Sequence, residues 1–233
     1  MLSGPDCLRH PQIDEMLRLL ADEHEIGVQL LGPLTRLSEL ALFERVAALP
    51  TLRGVRMSLF GARAETHDRI VGAAGAHAQV MAALTQCRAR EIPINLHCVV
   101  TPENVDELPE LLASLRALGQ HVELCVYHPE SWSGTPLTWR EVSLERTVVH
   151  PDRLLAALER TPERDAACGH SLYIAHCWIP ARLRARMLSD PHDVQDNFAF
   201  APACDNCSAR SRCPGVSRPA LERFGPACAR AIT

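Results

Sequence analysis

The chain contains no lysine: all 24 of its basic side chains are arginine. Chemistry that needs a lysine Schiff base is therefore excluded, while arginine stays available to grip carboxylates and phosphates. Twenty-eight acidic residues leave a net charge of −4, so no basic field for nucleic acid is present. No apolar run approaches the roughly 18 residues of a membrane-spanning helix. The opening residues carry acids and Pro5 where a secretory leader would be basic and then apolar. These absences lead us to expect a cytoplasmic protein with neither a nucleic-acid nor a membrane partner. At 233 residues it has room for one large domain, or for a medium domain with an appendage.

What the chain does have is ten cysteines. In a reducing compartment, clustered cysteines read as metal ligands and scattered ones as small core residues. Cys87, Cys98, Cys125 and Cys168 are scattered. Cys204, Cys207 and Cys213, followed by Pro214, are clustered as CxxC and then one further Cys after five residues. Short loops of that kind turn several thiolates toward one inorganic core. A fourth ligand has to come from elsewhere. Zinc knuckles usually come as two CxxC pairs and the second pair is missing, so the spacing favours an iron–sulfur cluster, with structural zinc as the alternative and unliganded thiols third.

From residue 12 to about 128 the pattern alternates between amphipathic helix and short apolar strand, the signature of βα units on a parallel sheet. Helices are expected over 12–24, 37–49, 74–90, 103–118 and near 151–160, and strands over 27–31, 54–60, 94–100 and 121–127. The helix over 103–118 carries a start signal in Pro102, Glu103 and Asn104 and a stop at Gly119; that near 151 is started by Pro151 and Asp152. A long polar connection after Tyr127 holds Trp132 and Trp139, which read as loop anchors or substrate contacts. The expected organisation is a βα domain over 1–165 and a small cysteine-rich module over 166–233 that relies on a metal to supplement a thin core.

Several stretches together resemble the radical S-adenosylmethionine (radical SAM) superfamily, in the subgroup with a C-terminal auxiliary iron–sulfur module of SPASM or twitch type. Ser3-Gly4-Pro5-Asp6-Cys7-Leu8, followed by His10-Pro11, resembles the family's Gly-Gly-Glu-Pro turn, which faces the amino group of SAM; Gly4 and Asp6 are the positions it implies. Ser58-Leu59-Phe60-Gly61, with Ala64 to Ile70 and Gly72 after it, is similar to the fourth strand and its "HD…G" continuation. Ser58 would then meet the SAM carboxylate or ribose, while His67 and Asp68 would shape the loop and cap a helix rather than react. Ile92 to Pro102, with Asn104, Glu107 and Leu108, looks like the fifth strand, with Asn95 facing the cofactor. Tyr127 and His128 end the next strand, and His128 is a candidate for handling substrate or protons. In the C-terminal stretch, Cys177 of Ala175-His176-Cys177-Trp178-Ile179-Pro180 precedes the trio as an earlier ligand does in such modules. It is the implied fourth ligand beside Cys204, Cys207 and Cys213, with Cys228 as its competitor.

The resemblance implies a partial (β/α) barrel of TIM type lacking its first strands, plus the cysteine-rich module. It also implies SAM and an auxiliary 4Fe–4S cluster as cofactors, and reductive SAM cleavage to a 5′-deoxyadenosyl radical that modifies a peptide or small-molecule substrate. The family's CxxxCxxC loop is absent. The chain starts about where the second strand should end, which reads as N-terminal truncation and would expose a barrel edge for a partner protein to cover. Three readings stay open at this point: a fragment of a full enzyme, a degenerate relative that keeps the metal module for binding, and an unrelated α/β protein with a zinc knuckle.

Overall fold

The computed structural model describes residues 2–3, 6–22, 24–126, 143–171, 173–187 and 197–233. Gly4, Pro5, Tyr127, His128, Trp132 and Trp139 lie outside the described residues. Two compact units divide the chain, Met1–His97 and Cys98–Thr233.

In the first unit, strand and helix alternate: β1 (Leu2–Ser3), α1 (Ile13–Ala21), β2 (Val28–Gly32), α2 (Leu40–Ala47), β3 (Leu52–Ser58), α3 (Ala64–Val71) and α4 (Ala76–Ala89), then β4 (Ile94–Val100), which runs on into the second unit. The four strands pair in parallel, through Leu2 with Leu30, Leu30 with Val55 and Val55 with Ile94. Parallel neighbours need a crossover between them, and the expected helices supply it. Leu30, Val55, Met57 and Leu96 are buried on the sheet, with Phe43 and Val46 of α2 and Val80 and Leu84 of α4. Gly54 has φ +145, and a Cβ there would lie 2.6 Å from the Pro93 carbonyl oxygen. Only glycine lets β3 pass the entry to β4 so closely.

Two elements of the first unit were not expected. Residues 64–71 read as a connecting segment but form α3, which ends at Gly72 with φ +73. Its buried residues are Thr66 and His67, so there is no apolar stripe for a periodicity to detect. Leu2–Ser3 reads as part of a turn but pairs with β2; two residues are too few to show a strand period.

In the second unit, the turn out of β4 is fixed by Asn104, whose Oδ1 accepts from the Thr101 amide at 2.8 Å and whose Nδ2 donates to the Val99 carbonyl at 2.9 Å. The helix expected over 103–118 opens as a 3-10 turn, Val105–Glu107, before α5 (Leu108–Ala117) buries Leu108, Leu111, Leu112 and Leu115. Next come β5 (Val122–Val126), α6 (Leu144–Thr147), α7 (Pro151–Glu159), α8 (Glu163–Ala166) and β6 (Gly169–Ser171), with β5 and β6 paired in parallel. Helix α7 starts at Pro151, and the His150 ring accepts from the Asp152 amide at 3.2 Å. Then follow α9 (Ala181–Met187), the two-residue strands β7 (Phe198–Ala199) and β8 (Val216–Ser217), and α10 (Arg218–Phe224). Among the described residues no helix is long and apolar enough to cross a membrane.

Candidate metal centre and polar strand face

Strands β7 and β8 pair antiparallel, Phe198 with Ser217 and Ala199 with Val216. They close the loop 200–215, which carries Cys204, Cys207 and Cys213. Cys204 ends a 3-10 turn, Pro202–Cys204, and Cys213 follows another, Arg210–Arg212. Gly215 returns the chain to β8 with φ +88, where a Cβ would lie 2.8 Å from the Ala199 carbonyl oxygen. Cys177 belongs to a separate 3-10 turn, His176–Trp178.

These four cysteines line one cavity of about 10 Å3, together with Phe200, Arg210 and Arg230 among others. All ten cysteines are free thiols, so the CxxC pair is not a disulfide. Among the described residues no three His, Cys, Asp or Glu side chains are set to hold a metal ion. The four thiols share a cavity wall without forming a closed coordination sphere.

Backbone amides point at the sulfurs. The His176 and Gly215 amides donate to Cys213 Sγ, each at 3.4 Å, and the Ile232 amide to Cys207 Sγ at 3.4 Å. Burial pushes the Cys213 and Cys177 thiols up from their ordinary value; amide donors, including that of Arg230 at Cys177, pull the other way. N–H donors stabilise a thiolate far more than a thiol, and hydrogen bonds to sulfur are a regular part of thiolate–metal sites. By donor type, by freedom from disulfides and by this amide shell, the residues fit an iron–sulfur cluster or zinc.

Cys228 does not line the cavity, yet it is close enough to Cys177 and Cys204 to feel their charge. Burial above all pushes its thiol up to about 11. Cys87 and Cys98 are buried thiols raised by burial to about 11 and about 12, and Cys125 is buried as well, as expected of core residues. Cys168 is also buried, its Sγ bonded to the Leu112 and Asp165 carbonyls.

The first unit carries a second group of residues. In the β3–β4 register Arg56 stands beside Asn95 and Ser58 beside His97. Paired residues of a parallel ladder share a face, and alternate residues return to it, so Arg56, Ser58, Asn95 and His97 lie on one face. The opposite face carries the buried Val55, Met57 and Leu96. Ser58 and Asn95 are thus brought together. Arg56 and His97 were not singled out, although a two-residue step back from Ser58 and on from Asn95 reaches them. Asp6 caps the 3-10 turn Cys7–Arg9 through the Leu8 amide, accepts from Thr35 Oγ1 at 2.8 Å and pairs with Arg9 at 3.4 Å.

His67 and Asp68 do shape this end of the unit. The Phe60 amide donates to His67 Nδ1 at 3.0 Å. The Asp68 carboxylate accepts from the Gly75 and His77 amides at 2.6 and 2.8 Å, holding the start of α4, and those bonds keep its carboxyl below the ordinary value.

Together these features define a mixed α/β protein with a parallel sheet of four strands in its first unit. No family model matches the chain. Over 125 residues it is 30% identical to the AdoMet-dependent heme synthase of Methanosarcina barkeri (strain Fusaro / DSM 804), an alignment that covers 52% of this chain and 35% of that protein. The chain spans about a third of the length of this curated relative. By its name, that relative depends on AdoMet.

Proposed function

We propose that this chain is part of a radical SAM protein, with a partial barrel over 1–165 that contributes to a SAM site and a module over 166–233 that holds one auxiliary 4Fe–4S cluster. The observation that carries the reading is the cavity shared by Cys177, Cys204, Cys207 and Cys213, with backbone amides aimed at their sulfurs. Cys177 serves as the fourth ligand because it lines that cavity and Cys228 does not. Ser58 and Asn95 face SAM, joined by Arg56 and His97 on the same strand face, with Gly4 and Asp6 as further SAM-binding positions. Arginine there suits the SAM carboxylate.

When bound, SAM and a reduced cluster supply a substrate radical for a modification reaction; the protein's share is to seat SAM, orient the substrate and exclude water. With no CxxxCxxC loop in these 233 residues, SAM cleavage needs ligands that they do not supply. The relative's name ties it to haem synthesis, and a haem precursor joins a peptide as a substrate class to assay.

Anaerobic purification, reconstitution and analysis of iron, zinc and sulfide test the metal site. About four irons and four sulfides per chain, lost in Cys177→Ser and kept in Cys228→Ser, is the expected result. One zinc without sulfide would replace the cluster with a structural knuckle and favour a second reading, a non-catalytic metal-binding interaction module on a degenerate barrel, which rests on the missing loop.

A further inference from the structure

A second cavity lies in the unit Cys98–Thr233. It has a volume of about 380 Å3 and shares Cys177, Arg230 and Ile232 with the thiol-lined one. That size falls within the range of small-molecule sites, about 300–1,000 Å3. Its lining is mainly polar: Arg184 and Arg230 bring guanidinium groups to it, and Leu155 and Ile232 add smaller apolar patches.

Arg184 is held in a particular way. Its Nε donates to the His176 carbonyl at 3.2 Å and to the Ile179 carbonyl at 3.0 Å, which fixes the plane of the guanidinium. Among the described residues its two terminal nitrogens have no partner, and it pairs with no carboxylate, although Glu159 and Thr233 also line the cavity. Glu159 is answered by Arg182 at 3.5 Å, and Arg230 by Asp152. Arg184 thus brings to the cavity, beside Thr233, a guanidinium whose two terminal nitrogens are open to a ligand. A fork already fixed by its Nε loses little freedom on taking a carboxylate or phosphate with two parallel bonds.

We infer that this cavity is a binding site for a small molecule with one oxyanionic head, carboxylate or phosphate, with the head on Arg184. Cys177 also lines this cavity, but the head group is read by Arg184 and not by a thiol, so binding is measured with and without the metal.

The test uses benzoate and phenyl phosphate, which share a body and differ in head, with neutral benzamide as control. Binding to the full chain is followed by ligand-observed NMR and calorimetry, with and without reconstitution. Saturable binding of at least one anion and not of benzamide is expected, weakened at least tenfold in Arg184→Gln. Because Arg184 also braces two carbonyls, Ala181→Trp serves as a second variant: Ala181 is exposed and lines the cavity, so the indole fills it and leaves the Arg184 bonds in place. It should weaken binding equally, with unchanged thermal unfolding. Binding of benzoate alone assigns a carboxylate site, and of phenyl phosphate alone a phosphate site. No saturable binding of either anion, equal binding of benzamide, or affinity unchanged in Ala181→Trp overturns the inference, whatever the metal analysis shows.

Discussion

The indole Nε1 of Trp178 donates to the backbone carbonyl of Cys228 at 2.8 Å, and Trp178 is 2% exposed. That bond ties the turn bearing Cys177 to the segment after α10, which also donates an amide to Cys207 through Ile232. Trp178→Phe keeps most of the apolar volume and leaves the Cys228 carbonyl without this donor. Leaving a buried acceptor unsatisfied costs about 1–3 kcal/mol. The midpoint of denaturant unfolding should fall accordingly, and metal content after reconstitution should fall with it. A variant as stable as the parent would show that the bond does not hold the turn.

Gly215 sits between Cys213 and β8 and uses its own amide to bond Cys213 Sγ. At φ +88 with the Ala199 carbonyl oxygen 2.8 Å from a built Cβ, alanine must either open the β7–β8 pair or move Cys213. Backbone strain of this kind costs on the order of 1–3 kcal/mol. Gly215→Ala should therefore lower both unfolding stability and iron uptake. Gly72→Ala, at a position with φ +73 but open space around it, should lower stability alone.

Much of this was legible in the sequence, and the parts that were not share a cause. Helix α1 was readable because Ile13 and Leu17 recur on one face, and β4 because Leu96, Cys98 and Val100 alternate with more exposed neighbours. The trio of cysteines was readable from spacing alone, since short loops keep near residues near. The hairpin beneath it was not: β7 and β8 have two residues each, too few for a period, and their pairs, Phe198 with Ser217 and Ala199 with Val216, join residues far apart in the chain. Arg56 and His97 escaped for a related reason. Their place beside Asn95 and Ser58 is set by strand register, which no single segment encodes.

That register gives a prediction for SAM. If the face of β3 and β4 seats it, Asn95→Ala and Arg56→Gln should each weaken SAM binding to the chain by roughly five- to tenfold, in line with the ~1–1.5 kcal/mol of a lost hydrogen bond. Arg53→Gln should not, since Arg53 is an exposed residue off that face. Calorimetric titration with SAM or S-adenosylhomocysteine checks the set. Equal affinity across all the variants would remove this face from the cofactor site.

His67 sets the sensitivity of the first unit to acid. The residue is 1% exposed, its ring lies 5.6 Å from that of His77, and its Nδ1 accepts the Phe60 amide. A protonated ring has no acceptor to offer, so folding resists the proton. Burial, then the His77 charge, lowers the His67 pKa from 6.5 to about 4. The unfolded chain takes up this proton as the pH falls through about 6.5, and the folded protein only near 4. The stabilisation is therefore complete above about 6.5, declines as the pH drops toward 4, and changes no further below that. At 1.36 kcal/mol per pH unit of displacement the loss amounts to about 3 kcal/mol. Urea unfolding of the parent and of His67→Gln at pH 7 and at pH 4.5 isolates the residue, because carboxylates contribute alike to both. The variant should be the less stable at pH 7 and should lose less stability on acidification. Parallel losses in the two proteins would show that His67 already carries its proton in the folded state.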